Sequence, residues 1–112
     1  MSMRLAVVGF AAAMVGGGLF ADALASPYDI TYRTRKQADL HAGPSAESPV
    51  KTSVKKGTKG IVLRWCRPQM PFRKWAYGGP NIWRQILDER WCEVDVNGTI
   101  GFIHGSRLKP TP

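Results

Sequence analysis

The sequence predicts a small all-β domain: a barrel of five to six short strands, with an extended insert between the central strands and a signal peptide in front. Three observations carry this. Short runs rich in β-branched and aromatic residues recur at close spacing, with turn residues between them. Two of these runs flank Asn97-Gly98, the dipeptide best suited to a two-residue hairpin turn, where both residues need positive φ. The chain behind the export signal comprises residues 26–112, too little for two independent cores, and a barrel suits that size better than a sandwich.

The N-terminal segment has the three parts of a secretory signal. Arg4 supplies positive charge, Leu5 to Phe20 is uncharged and mostly apolar, and Ala23 and Ala25 stand at the −3 and −1 positions for cleavage after Ala25. The apolar run is short for a bilayer span, and Gly16-Gly17-Gly18 weakens any helix there, which disfavours the alternative of an uncleaved anchor. No cysteine near the cleavage site suggests a lipid anchor. The expected location is therefore periplasmic or secreted.

The strands follow in order. Ile30 to Arg33 and Gln37 to His41 have strand-like composition, and Ala42 to Pro49 is an open loop punctuated by Gly43 and two prolines. Val50 to Val54 is a short strand, and Lys55-Lys56-Gly57 a turn. Lys59 to Trp65 has the strongest β composition through Ile61-Val62-Leu63. Trp91 to Val96 alternates, with Cys92, Val94 and Val96 on one face and Trp91, Glu93 and Asp95 on the other. Thr99 to His104 is the return strand, and Gly105 to Leu108 turns into a last short strand. Leu40, Val50, Val54, Ile61, Leu63, Val94, Ile103 and Leu108 are the expected core.

Residues 67–90 form the insert, rich in Pro and Gly up to Pro80 with aromatic and basic residues among them. Asn81 to Arg90 fits a short helix capped by Asn81, with Ile82/Ile86 and Trp83/Leu87 at helical spacing; strand alternation fits as well. Any helix belongs here, between the cysteines.

Cys66 and Cys92 form an even pair in an exported domain, which favours a disulfide over free thiols. Strict alternation puts Cys66 on the face opposite Ile61 and Leu63, so either a bulge near Trp65 restores agreement or the bridge lies at the sheet rim, stapling the base of the insert. The rim is the preferred reading. Two Cys and two His (His41 and His104) without paired spacing do not suggest zinc, and neither metal nor cofactor is expected.

Lys and Arg number 16 against 8 Asp and Glu, and only Arg4 and Asp22 precede residue 26, so the mature chain keeps a net charge near +8. Such a balance attracts anionic partners or simply maintains solubility. Export argues against nucleic acid.

The order of these pieces resembles that of bacterial Src-homology-3 domains. Ala38-Asp39-Leu40-His41-Ala42-Gly43-Pro44-Ser45 resembles the family's opening motif, and Val50 with Val54-Lys55-Lys56-Gly57 its next stretch. Trp91-Cys92-Glu93-Val94, Asn97-Gly98, Gly101-Phe102-Ile103-His104 and Ser106-Arg107-Leu108 resemble its closing hairpin. The resemblance covers Thr34 to Lys109. His41 stands where relatives often carry Arg, Phe102 where Trp is usual, and the segment Cys66 to Arg90 is longer than in a minimal member. The aromatic cluster by which the eukaryotic cousins bind proline-rich peptides is missing. The resemblance implies a non-catalytic module for cell-wall peptides or other envelope partners, and the chain is expected to be a monomer.

No nucleophile stands beside a recognisable base, so no catalytic residue is assigned. The aromatic residues Trp65, Phe72, Trp75, Tyr77, Trp83, Trp91 and Phe102, interleaved with Arg64, Arg67, Arg73, Lys74 and Arg84, suggest one of two things. They make a face for a sugar or peptide, since rings stack on sugar faces and Arg forks carboxylates, or they make a small second core under the insert. The candidate ligand-binding residues are Phe72, Arg73, Lys74, Trp75, Tyr77, Trp91 and Phe102, with Trp75 and Tyr77 expected to be the most exposed. The expected partner is a cell-wall peptide or glycan; the alternative is a structural role bound to another envelope protein.

Overall fold

The computed structural model describes residues 26–111; the signal-peptide assignment, residues 1–25, lies outside them. Seven antiparallel strands form one sheet curled into a half-barrel: β1 (Thr31–Thr34), β2 (Ala38–His41), β3 (Val50–Val54), β4 (Ile61–Arg67), β5 (Trp91–Val96), β6 (Thr99–His104) and β7 (Leu108–Thr111). Their spatial order is β3-β2-β6-β5-β4-β1-β7, which leaves β3 and β7 as edges. The expectation of five to six strands was too low. β1 and β7 are four-residue strands broken by charge and proline, and they stand as strands because they pair with each other from Thr31↔Thr111 to Thr34↔Leu108.

Strand alternation sets the core. Leu40, Val54, Ile61, Leu63, Val94, Ile103 and Leu108 all point inward and are buried, joined by Tyr32, whose hydroxyl donates to the Pro27 carbonyl. Burial of such side chains contributes roughly 1.5–3 kcal/mol each. Val50 corrects the expected core list: it is 53% exposed. It opens the edge strand β3, of which only Val54 reaches the interior. At the β5–β6 turn both Asn97 and Gly98 have positive φ (52° and 96°), as the Asn-Gly hairpin requires.

The insert is helical. Helix α1 (Phe72–Asp88) begins well before Asn81 and consists of two helical segments across a kink at Gly79, whose φ of 76° only glycine adopts easily. Pro80 restarts the helix where its missing N–H is no loss. Asn81 is therefore not a cap; it lies inside the second segment. The helix buries Trp75, Ile86 and Leu87. Its end is fixed to the barrel at a 3-10 turn (Gly105–Arg107), where a Cβ on Gly105 would collide with the Leu87 carbonyl.

The predicted disulfide, Cys66–Cys92, is present, but not at the rim. Both cysteines are buried core residues and sit directly opposite one another in β4 and β5. The register shifts between Leu63 and Trp65, so Arg64 is an extra residue in β4. This bulge turns Cys66 inward after Leu63, in line with Cys92 and Val94. Among the described residues no helix is long and apolar enough to cross a membrane.

Candidate functional site

The same bulge builds the outer face of the sheet. With Cys66 turned in, Trp65 turns out. It pairs with Glu93, which pairs on its other side with Phe102, which in turn pairs with His41 of β2. One step along, Arg67 pairs with Trp91 and Trp91 with His104. Two adjacent rows across four strands thus place five rings on one face: Trp65, Phe102, His41, Trp91 and His104.

These rings meet edge to face. Trp65 and Phe102 have centroids 5.4 Å apart, His41 and Trp91 5.4 Å, and Trp91 and His104 5.2 Å. Such contacts favour the positive ring edge over the negative ring face. The Arg67 guanidinium lies 5.0 Å from the Trp65 ring centroid, a cation–π contact. The bulge residue Arg64 donates from Nε to Glu93 at 3.0 Å, which neutralises the carboxylate nearest the rings. Val62 and Ile100 extend the face with exposed apolar surface.

At one end the face opens into a hollow of about 350 Å³, lined by Asp39, His41, Trp91, His104, Ser106 and Arg107. The hydrogen bonds assign opposite tautomers to its two imidazoles. His41 Nδ1 lies 2.9 Å from the Ser48 carbonyl, which can only accept, so Nδ1 carries the proton and Nε2 is left as an acceptor. His104 Nδ1 accepts from the Ser106 backbone N–H at 3.2 Å, so its neutral ring carries the proton on Nε2. Burial holds the His104 pKa below its ordinary value. Arg107 pushes it the same way and Asp88 opposes them. The hollow thus offers one ring acceptor, one ring donor, a carboxylate and a guanidinium around an indole.

Ser106 Oγ lies 2.7 Å from His104 Nδ1, but the Ser106 backbone N–H engages the same nitrogen. That is the geometry of a cap on the 3-10 turn. Among the described residues no group of three or more His, Cys, Asp or Glu is placed to hold a metal ion.

The structure divides the predicted ligand-binding residues into three groups. Trp91 and Phe102 lie together on the sheet face. Phe72, Arg73, Lys74 and Tyr77 lie on the outer side of the first segment of α1; Tyr77 is 73% exposed, and Phe72 meets Tyr28 edge-on at 5.9 Å. Trp75, expected to be exposed, is 3% exposed. Its ring stacks on Trp83 at 5.2 Å and tilts against Tyr32 at 6.3 Å, while Trp83 Nε1–H donates to the Trp75 carbonyl at 2.7 Å. Each segment of the kinked helix carries one indole, and the side of the first segment that faces the barrel holds Trp75. For Trp75 and Trp83 the second-core alternative therefore holds. Trp65 was named among the rings but not carried into the candidate site, and His41 and His104 were missed. The signal for Trp65 was the same alternation conflict that the bulge resolves.

No family model, curated protein or solved structure matches the chain.

Proposed function

We propose that the protein is a non-catalytic binding module of the bacterial Src-homology-3 type that recognises a cell-wall (peptidoglycan) or other envelope ligand through the outer face of its sheet. One observation carries the reading: the half-buried rings of Trp65, Phe102, Trp91 and His104 stand in two neighbouring rows on the outer face of the sheet, with the buried His41 packed edge-on against Trp91. Edge-to-face packing preorganises them, and half-buried rings lose little freedom on binding. Rings of this kind stack on sugar faces, while Arg67 and Arg107 at the margins suit the carboxylates of wall peptides. A buried disulfide in so small a domain fits an oxidising, exported setting. The site lies on the sheet and not on the insert.

The test is co-sedimentation of the purified protein with cell-wall sacculi, beside Trp65→Ala/Phe102→Ala and, as a surface control, Tyr77→Ala. Binding retained by Tyr77→Ala and lost by the double variant is the expected result. Binding lost by Tyr77→Ala alone would move the site back to the helix, and no binding by the parent protein would remove the wall-ligand reading. In that last case a structural role gains weight. The exposed edge strand β3, with Val50 at its start, offers unpaired backbone for strand addition by another envelope protein.

A further inference from the structure

A second surface, away from the ring face, is built from the pairing of β1 with β7. Arg33 and Lys109 are direct partners across these strands. Like charges directly opposite one another in a sheet repel and are destabilising. The turn between β3 and β4 adds Lys56 to them. That turn is fastened to β1 by the Gly57 N–H donating to the Thr34 carbonyl at 2.9 Å, and by the Thr34 hydroxyl donating to the Lys55 carbonyl at 2.6 Å.

Two clefts meet here. One, of about 350 Å³, is lined by Arg33, Arg35, Lys56 and Lys109 with Thr34 and Gly57. The other, of about 430 Å³, shares Arg35 and Lys109 and continues along Pro80, Trp83 and Pro110 to Arg84. Among the described residues no carboxylate lines either cleft. Among the described residues the ion pairs are Arg64–Glu93, Arg84–Asp88 and Arg90–Glu89, so Arg33, Arg35, Lys56 and Lys109 have no acidic partner within 4.0 Å. Arg35 donates from Nη1 to the Ser106 carbonyl at 3.5 Å, and Arg84 is engaged more fully. It donates to Asp88 and to the carbonyls of Leu108 and Gly105, so it braces the wall of the trough.

We propose that this trough is a binding site for a phosphate ester. Its phosphate sits among Arg33, Arg35, Lys56 and Lys109, and the carbon-bearing part of the ligand lies along Trp83, Pro80 and Pro110. Four unneutralised cations in one concavity match a dianion better than a single carboxylate, and guanidinium groups donate to phosphate oxygens in pairs. The proposal is independent of the ring face, because it shares no residue with it. The same chemistry is offered by a lipid headgroup and by a soluble phosphoester.

The experiment measures binding of the purified protein to three probes at low salt: pyrophosphate, glycerol phosphate, and phosphatidylcholine vesicles with or without phosphatidic acid. The variants are Arg33→Gln/Lys109→Gln and, with the same change in net charge, Arg73→Gln/Lys74→Gln on the exposed side of α1. The first pair should weaken binding roughly tenfold or more, as expected for losing two charge-assisted contacts, and the second should not. Arg33→Gln/Lys109→Gln should also melt no lower than the parent, since it removes a repulsion, so the loss cannot be ascribed to unfolding. Binding to the acidic vesicles alone assigns a lipid headgroup, binding to glycerol phosphate assigns a soluble phosphoester, and binding to pyrophosphate alone, which has no ester carbon, overturns the proposal. Equal weakening by both variants, or no binding to any probe, overturns the proposal.

Discussion

Trp75 separates a binding role for the insert from a packing role, and the structure gives the size of the difference. Its indole is 3% exposed, stacked on Trp83 and tilted against Tyr32. The hydrogen bond from Trp83 Nε1 goes to the backbone carbonyl of residue 75, so it survives substitution there. Trp75→Ala therefore removes packing and little else. Truncating a buried Trp costs about 3–5 kcal/mol, against a total of about 5–15 kcal/mol for an ordinary domain. At about 4–8 °C per kcal/mol for a chain this small, the melting temperature should fall by roughly 12–40 °C. Tyr77→Ala, two residues along the same helix, changes a side chain 73% exposed and should stay within about 0.5 kcal/mol of the parent. Urea unfolding followed by far-ultraviolet circular dichroism measures both without relying on the fluorescence of the residue removed. The expected result is a large fall in midpoint for Trp75→Ala with an unchanged slope, and almost none for Tyr77→Ala. A Trp75→Ala protein less than 1 kcal/mol below the parent would refute the argument that these rings hold the insert to the barrel.

Three further outcomes are expected. Cys66→Ala/Cys92→Ala opens a loop with a sequence separation of 26, and on the chain-entropy model stability should fall by about 3–4 kcal/mol; an unchanged urea midpoint would contradict this. Gly105→Ala drives a methyl into the Leu87 backbone carbonyl, where no side chain can give way, so a loss of about 1–3 kcal/mol or more should appear in thermal melts. His104 has a folded-state pKa below its unfolded value of 6.5, chiefly through burial. As pH falls through that range the unfolded chain takes up a proton that the folded one resists, so stability present above pH 6.5 is lost on acidification. His104→Gln should flatten the decline of stability between neutral and mildly acidic pH, and an unaltered acid slope would contradict the assignment.

The strands that the sequence revealed most sharply are those whose pattern depends on neighbours along the chain. Val50–Val54, Trp91–Val96 and Thr99–His104 carry the bounds expected of them, because alternation and the Asn97-Gly98 turn are local signals. The weaker elements depend on distant partners. β1 and β7 lie about 80 residues apart and become strands only through each other. The helix runs through Gly78-Gly79-Pro80, a sequence that locally reads as a break; buried Trp75 on one side and Ile86 and Leu87 on the other hold both segments in place. The site was half legible for the same reason. Alternation in β5 put Trp91 on the face opposite Cys92 and Val94, whereas nothing near Trp75 in the chain reveals that Tyr32 and Trp83 close over it.

The bulge at Arg64 connects the stability of the protein to its candidate site. Without it, the alternation beginning at Leu63 would send Trp65 into the barrel and Cys66 out to solvent, where it could not reach Cys92. A one-residue slip flips every following side chain of a strand to the other face. With it, the disulfide lies in the core, Trp65 joins Phe102 outside, and the extra residue itself supplies the guanidinium that engages Glu93. The bridge and the ring face are thus two consequences of one register shift. The disulfide locks the register at Cys66↔Cys92, next to the pair Trp65↔Glu93, and so holds Trp65 outward. Loss of the disulfide should therefore loosen the ring face even under conditions where the rest of the barrel stays folded.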